Sequence, residues 1–342
     1  MKKPLLIFLT LILSLGVYLI YKFYSIALQP NVRDFGQTQY FFVAPEDDLE
    51  RVAFRLDTLL ENPESFKILA EAKELGKSLK PGRYALEPGM NNNTLVNRLR
   101  AGIQEPVRLT LNMAMDLKGL AGQAARDLEP DSLEFLNYLE GPEILEDFKI
   151  SREELPGFFL ANTYEFYWNT SPKDFVQRML QESEKFWRKR QSLLDESGLN
   201  RHEVITLASI VESETSKPSE MPRVAGLYIN RLEKNIKLQS DPTVIFAMKQ
   251  EDPNIEVRRV YTKNLSIDSK YNTYKYEGLP PGPIRIPDPR SIDAVLKAEN
   301  HSYIYMCADP DRPGYHAFAR TLRQHNINGA KYRNWANQQG IY

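Results

Sequence analysis

The chain has 342 residues, more than one average domain holds, so two compact units with connectors are expected. Its 42% hydrophobic and 26% charged residues are ordinary for a globular protein, and a net charge of −1 gives a nucleic-acid partner no electrostatic support. One cysteine, Cys307, excludes an internal disulfide; the four histidines (His202, His301, His316 and His325) show no ligand spacing, so neither metal nor cofactor is expected.

Residues 1–28 read as a cytoplasmic tip and a transmembrane anchor. The run "LLIFLTLILSLGVYLIY", Leu5 to Tyr21, is uncharged, and "FYSIAL" extends it past Lys22 to Leu28. That is short for a membrane span, but Lys22 can snorkel to the headgroups. No small-x-small site follows the run, which favours an anchor over a cleaved signal peptide. Lys2 and Lys3 ahead of the span favour a cytoplasmic N terminus and an external body.

Residues 29–39 are polar and read as a tether. From Tyr40, "YFFVAP" is strand-like and "DDLERVAFRLDTLL" has helical spacing; "SFKILAEAKELG" predicts a second helix with Gly76 as its C′ residue. "KPGRYAL" suggests a turn into a strand, and "NNTLVNRLRAG" a helix capped by Asn93 and stopped by Gly102. Strand–helix–helix–strand makes 40–104 a small α+β module. In the connecting α+β segment, 105–154, "PVRLTLNM" predicts a strand, with helices in "DLKGLAGQAARDL" and "SLEFLNYL".

A larger mixed α+β unit is expected over 155–342. It opens with one long amphipathic helix from Pro172 to Gly198, capped by Thr170 or Ser171. "NRHEVITLASIVESET" follows, with Asn200 and Glu203 spaced as a capping-box variant, then the helix "RVAGLYINRLEKN". Beyond Tyr261 the chain is rich in Pro, Gly and Tyr, with strand candidates at "SYIYMCA" and "YHAFAR".

The sharpest chemical signal is the end of that buried-looking helix, which carries Glu212 and Glu214 on nearly opposite faces. Glu214 shares its stripe with Leu207, Ile210 and Val211, and a carboxyl in apolar surroundings keeps its proton to higher pH, as a general acid must. Glu212 reads as support for the helix or cleft, or as partner of a cation such as Arg231. Downstream, Gln239, Ser240 and Asp241 form a polar cluster between Leu238 and Pro242, natural for a cleft wall. Tyr271, Asn272, Thr273 and Tyr274 mix aromatic faces with hydrogen-bonding groups, a combination that sugar rings require. His316 and His325 can bond a sugar or buttress Glu214; satisfied structural histidines are the alternative.

Taken in order, "ASIVESET", "VAGLYINRL", "LQSDPTVIFA", "YNTYKYEGLPPGPI" and "HAFARTLRQHN" resemble the YceG-like (MltG-type) family of endolytic murein transglycosylases. The likeness runs from about Tyr40 to the C terminus. "LPGFFLANTYEFY" also matches in outline, with Ala161-Asn162 where the family usually has Pro-Asp. The resemblance implies a single-pass anchor in the bacterial inner membrane, a LysM-like module over 40–104, and a periplasmic catalytic domain cleaving peptidoglycan strands beside the peptidoglycan synthases. It also implies that Glu214, second in E-x-E-T, is the catalytic acid; by residue type, Gln239, Ser240, Asp241, Asn272, Thr273 and Tyr274 are expected toward the substrate, with His316 and His325 as candidates beside them. A muramidase-type hydrolase using Asp241 as second carboxylate, and a non-catalytic glycan-binding scaffold, are the rival readings.

Overall fold

A computed structural model describes residues 2–112, 116–257 and 259–340. Met113, the end of one expected strand, and Ile341–Tyr342, the end of the expected catalytic domain, lie outside them. The chain divides into two compact units, one of residues 1–109 with 127–130 and 165–171, the other of the remainder. The fold is mixed α+β.

In the first unit, α1 (Lys2–Phe23) passes into a π-helical turn, Tyr24–Leu28. Leu5–Leu28, with mean hydropathy 2.1, is long and apolar enough to cross a membrane. β1 (Gln39–Val43) and β2 (Gly82–Leu86) pair antiparallel, with Phe41 opposite Tyr84. Between them lie α2 (Leu49–Leu56), α3 (Pro63–Ala72) and the short α4 (Leu75–Ser78); α5 (Asn92–Ala101) follows. Val52, Leu56, Phe66, Tyr84 and Leu95 are fully buried in one core.

Three local expectations need correction here. The cap of α5 is Asn91, whose side chain accepts from Thr94 N; Asn93 lies inside the helix and accepts from Lys73 Nζ. Gly76 is within α4, and Glu74 takes the left-handed conformation, φ +51°, that ends the preceding segment. Residues 29–39 are docked at their start: Pro30 bridges Asn91, Val32 bridges Leu60, and Asn31 and Val32 are buried. The reason is a closed set of polar partners. Asn31 Nδ2 donates to Asn92 Oδ1 at 2.7 Å, and Asn92 Nδ2 donates to Ile26 O at 2.8 Å and Ser65 Oγ at 2.9 Å.

β3 (Val107–Leu111) pairs with β4 (Asn162–Phe166), and Thr110 and Thr163 join hydroxyls at 2.9 Å. Between these strands run α6 (Leu117–Ala124), α7 (Ser132–Glu140) and α8 (Pro142–Phe148). The single long helix expected next is two, α9 (Pro172–Arg188) and α10 (Gln191–Ser197). Arg190 leaves helical geometry at the break; its guanidinium stacks on Phe186 and donates to Asp293 through Nε at 2.6 Å and Nη2 at 2.9 Å. The two-pronged bond to Asp293 holds Arg190 in this non-helical position.

α11 (Arg201–Glu214) is the axis of the second unit. Asn200 and Glu203 form the full capping box, and Val204, Leu207, Ala208, Ile210 and Val211 are completely buried. Around it pack α12 (Met221–Glu233), α13 (Asp241–Glu251) and α14 (Pro289–Leu296). Gly226 lets α12 approach the Glu299 carbonyl, where a Cβ would not fit. β5 (Tyr305–Ala308) and β6 (His316–Ala319) form a hairpin with Ala308 opposite His316, and α15 (Leu322–Gln338) ends the described chain.

Candidate active site

The buried faces of α11 run out at its last turn, and Glu214 is half-buried at the mouth of a cleft of about 300 Å3. Tyr228 on α12 donates its hydroxyl to Glu214 Oε1 at 2.7 Å, and the buried Ser240 Oγ donates to the same oxygen. Ser240 is held in turn: its backbone N–H donates to Thr273 Oγ1 at 3.0 Å, and Thr243 Oγ1 donates to its carbonyl at 2.7 Å.

Burial pushes the Glu214 carboxyl above the usual carboxylate range, and the negative charge of Asp241 adds to the rise. The Ser240 and Tyr228 hydroxyls and His316 act against it without overcoming burial. Both hydroxyls occupy Oε1, so the proton of the neutral acid belongs on Oε2. A carboxyl in this state can donate a proton and then recover one. Burial beside this carboxylate also drives the Tyr228 phenol well above its ordinary value, so Tyr228 is a donor at any physiological pH.

Five of the residues expected around Glu214 line the same cleft: Gln239, Asp241, Tyr274, His316 and His325. Asp241 opens α13 and accepts from Tyr274 Oη at 2.7 Å. His316, on β6, donates its backbone N–H to Glu220 Oε1 at 2.7 Å, and its Nδ1 lies 2.9 Å from Glu220 Oε2. Since the carboxylate only accepts, Nδ1 carries the hydrogen. His325 stacks on Tyr305 with centroids 5.3 Å apart. Burial and the charges of Arg231 and Arg333 pull its imidazole below the usual value, toward the neutral form.

The remaining expectations divide. Ser240 reaches Glu214 from behind the cleft surface. Asn272 and Thr273 are buried and brace the wall: Asn272 Nδ2 donates to Leu265 O and Ile267 O, both at 2.9 Å, and Thr273 holds Ser240. Neither lines the cleft. Glu212 is buried away from it and accepts from Asp288 N at 2.8 Å and Ser291 Oγ at 2.9 Å, which ties α11 to the start of α14. Among the described residues its ion-pair partner is Arg285, at 3.8 Å, not Arg231.

Sequence reasoning missed Tyr228 as a partner of the acid, Glu220 behind His316, and Arg231 and Tyr305 as cleft residues. Tyr228 and Arg231 share a face of "GLYINRL", three residues apart, and that spacing was the available signal. Glu220 lies 96 residues before His316, a separation no local pattern covers.

This geometry can be set beside known proteins. The chain is 27% identical over 333 residues to the endolytic murein transglycosylase of Bacillus subtilis, covering 91% of this chain and 89% of that protein. It is 27% identical over 361 residues to the endolytic murein transglycosylase of Streptococcus pneumoniae strain D39, covering 96% of this chain but 64% of that one. A crystal structure of a yceG-like protein from Listeria monocytogenes shares the fold, with TM-score 0.55 and 24% identity, covering 85% of this chain and 99% of that one. The profile of the YceG-like family matches residues 41–331. By that match, spanning both units and every element of the cleft, the chain belongs to the YceG-like family.

Proposed function

We propose that the chain is a membrane-anchored lytic transglycosylase that cuts peptidoglycan strands internally. It cleaves the β-1,4 bond between N-acetylmuramic acid and N-acetylglucosamine and leaves 1,6-anhydro ends, which limits strand elongation. The observation that carries this reading is Glu214: a cleft carboxyl whose pKa is raised by burial, with both structural donors on one oxygen. The names of the Bacillus and Streptococcus relatives support the substrate and the reaction class.

In the proposed sequence Glu214 passes its proton to the glycosidic oxygen as that oxygen leaves C1. The resulting carboxylate accepts the proton of the muramyl 6-hydroxyl while that oxygen bonds to C1 and closes the anhydro ring. The proton is recovered and no water is consumed. Tyr228 and Ser240 hold the carboxylate during the interval when it is charged.

Asp241 favours a second reading, because it shares the cleft and its charge bears on Glu214. A muramidase-type hydrolase would use it to activate water, with the two carboxyls about 5–10 Å apart. A glycan-binding scaffold would need neither. Mass spectrometry of purified strands incubated with the detergent-solubilised chain separates the three. Anhydro ends are expected; reducing ends would establish the hydrolase, and intact strands the scaffold.

The apolar helix supports a single-pass anchor in the cytoplasmic membrane, with Lys2 and Lys3 inside and both units outside, where the peptidoglycan synthases work. The first unit, with β1 and β2 paired around its helices, is proposed as the LysM-like glycan-binding module.

A further inference from the structure

Arg231 lines the cleft, yet its residue is only 5% exposed. Its donors all meet neutral acceptors: Nε and Nη2 donate to Lys237 O at 2.9 and 2.6 Å, Nη1 to Ile304 O at 2.6 Å, and Nη2 to Gln239 Oε1 at 2.8 Å. Four of the five guanidinium hydrogens are thereby used, leaving one on Nη1. Among the described residues, no carboxylate comes within ion-pair distance of it. The two acids of the cleft are engaged by other groups, Glu214 by Tyr228 and Ser240, and Asp241 by Tyr274.

A buried cation without a counter-ion is costly, and a fold keeps one where something compensates it. Two further features mark this corner. Gln239 is held in the left-handed region, φ +54°, while its amide oxygen meets the guanidinium, a local strain of the kind found at ligand sites. His325 stacks on the Tyr305 ring, 5.9 Å from the Arg231 guanidinium, and its buried Nδ1 has no partner among the described residues. The cleft is therefore polarised, with Glu214 and Asp241 as its acidic part and Arg231, beside His325, as a cationic part with no acid of its own.

We infer that Arg231 forms an anion subsite that receives a carboxylate carried by the muramyl residue of the strand. The inference rests on the proposed substrate and narrows it, since N-acetylglucosamine carries no such group. Two sources share the chemistry: the free lactyl acid of a peptide-stripped strand, and a carboxylate of the stem peptide.

Binding to the full chain carrying Glu214→Gln, which separates affinity from cleavage, tests it with three matched ligands. These are stripped strands with the free lactyl acid, the same strands capped as the methyl amide, and strands retaining their peptides. Either acid-bearing ligand is expected to bind about ten- to hundredfold more tightly than the capped one, the worth of a hydrogen bond between charged groups. The preference should shrink as salt rises. Whichever acid binds better identifies the source. Arg231→Met should erase the difference; because that change also frees Lys237 O, Ile304 O and the cleft residue Gln239, the ligand comparison in the Arg231 protein is decisive by itself. Equal binding of all three ligands overturns the subsite. The absence of anhydro ends from unsubstituted protein would instead overturn the transglycosylase reading, and the two failures are separate.

Discussion

Each unit buries a polar cluster, and the two are built on different rules. In the first, Asn31, Ser65 and Asn92 exchange hydrogen bonds with one another and with the Asn62 and Ile26 carbonyls. None of the three titrates, and each group's partners are other fixed groups of the fold. In the second, Glu214 titrates, both its donors crowd one oxygen, and the other oxygen is left for the cleft. A satisfied amide cluster fixes a chain path; a half-satisfied acid holds a proton ready to move. The same contrast recurs within α11, where Glu212 spends its acceptors on the start of α14 and Glu214, two residues on, reaches the cleft.

The largest break in this comparison is expected from Glu214→Gln. Strand cleavage should fall by about 10²- to 10⁴-fold, the usual worth of a general acid, and retained turnover would remove Glu214 from the chemistry. Stability should behave oppositely. The native state binds this proton more tightly than the unfolded chain, so the associated stabilisation is complete below the unfolded-state pKa and is lost as pH rises through the raised native value. At neutral and alkaline pH the amide variant should therefore melt at or slightly above the parent temperature.

A smaller effect, and on the other unit, is expected from Asn92→Ala. It leaves the Ile26 carbonyl and the Asn31 amide without their buried partner, at about 1–3 kcal/mol. Hydrogen exchange should accelerate over residues 24–32, while cleavage per folded molecule stays unchanged. Unaltered protection there would show that the segment is docked by packing alone.

The most delicate effect is that of Tyr228→Phe. The lost hydroxyl favoured the carboxylate, so its removal raises the Glu214 pKa further, and the alkaline limb of the rate profile should move upward with a modest loss of rate. Ser240→Ala should move it the same way. A limb that stays put or moves down would mean that these hydroxyls do not report on the acid.

Several elements were legible because their cause is local, although the α5 cap fell on Asn91 rather than Asn93. The Asn200 capping box, the start of α9 at Pro172 and the apolar run to Leu28 each depend on neighbours within a turn or two, and each stands in the fold. Asn272 and Thr273 looked like ligands for sugar because they are polar residues among tyrosines, but they turn inward to hold Leu265, Ile267 and Ser240. The break at Arg190 was invisible because its partner, Asp293, is 103 residues away.

By itself the sequence determined the helix over Arg201–Glu214 with its Asn200 capping box, the start of α9, the membrane-length run and the presence of an acid at the end of a buried helix. Periodicity and side-chain chemistry act over a few residues, and those features need nothing more. Only the tertiary structure decided which polar groups face the cleft, that Tyr228 and Ser240 meet on one oxygen of Glu214, and that among the described residues Arg231 has no acid beside it. A hydrogen bond is settled by which groups packing brings within about 3 Å, and for these residues the partners come from separate elements of the chain.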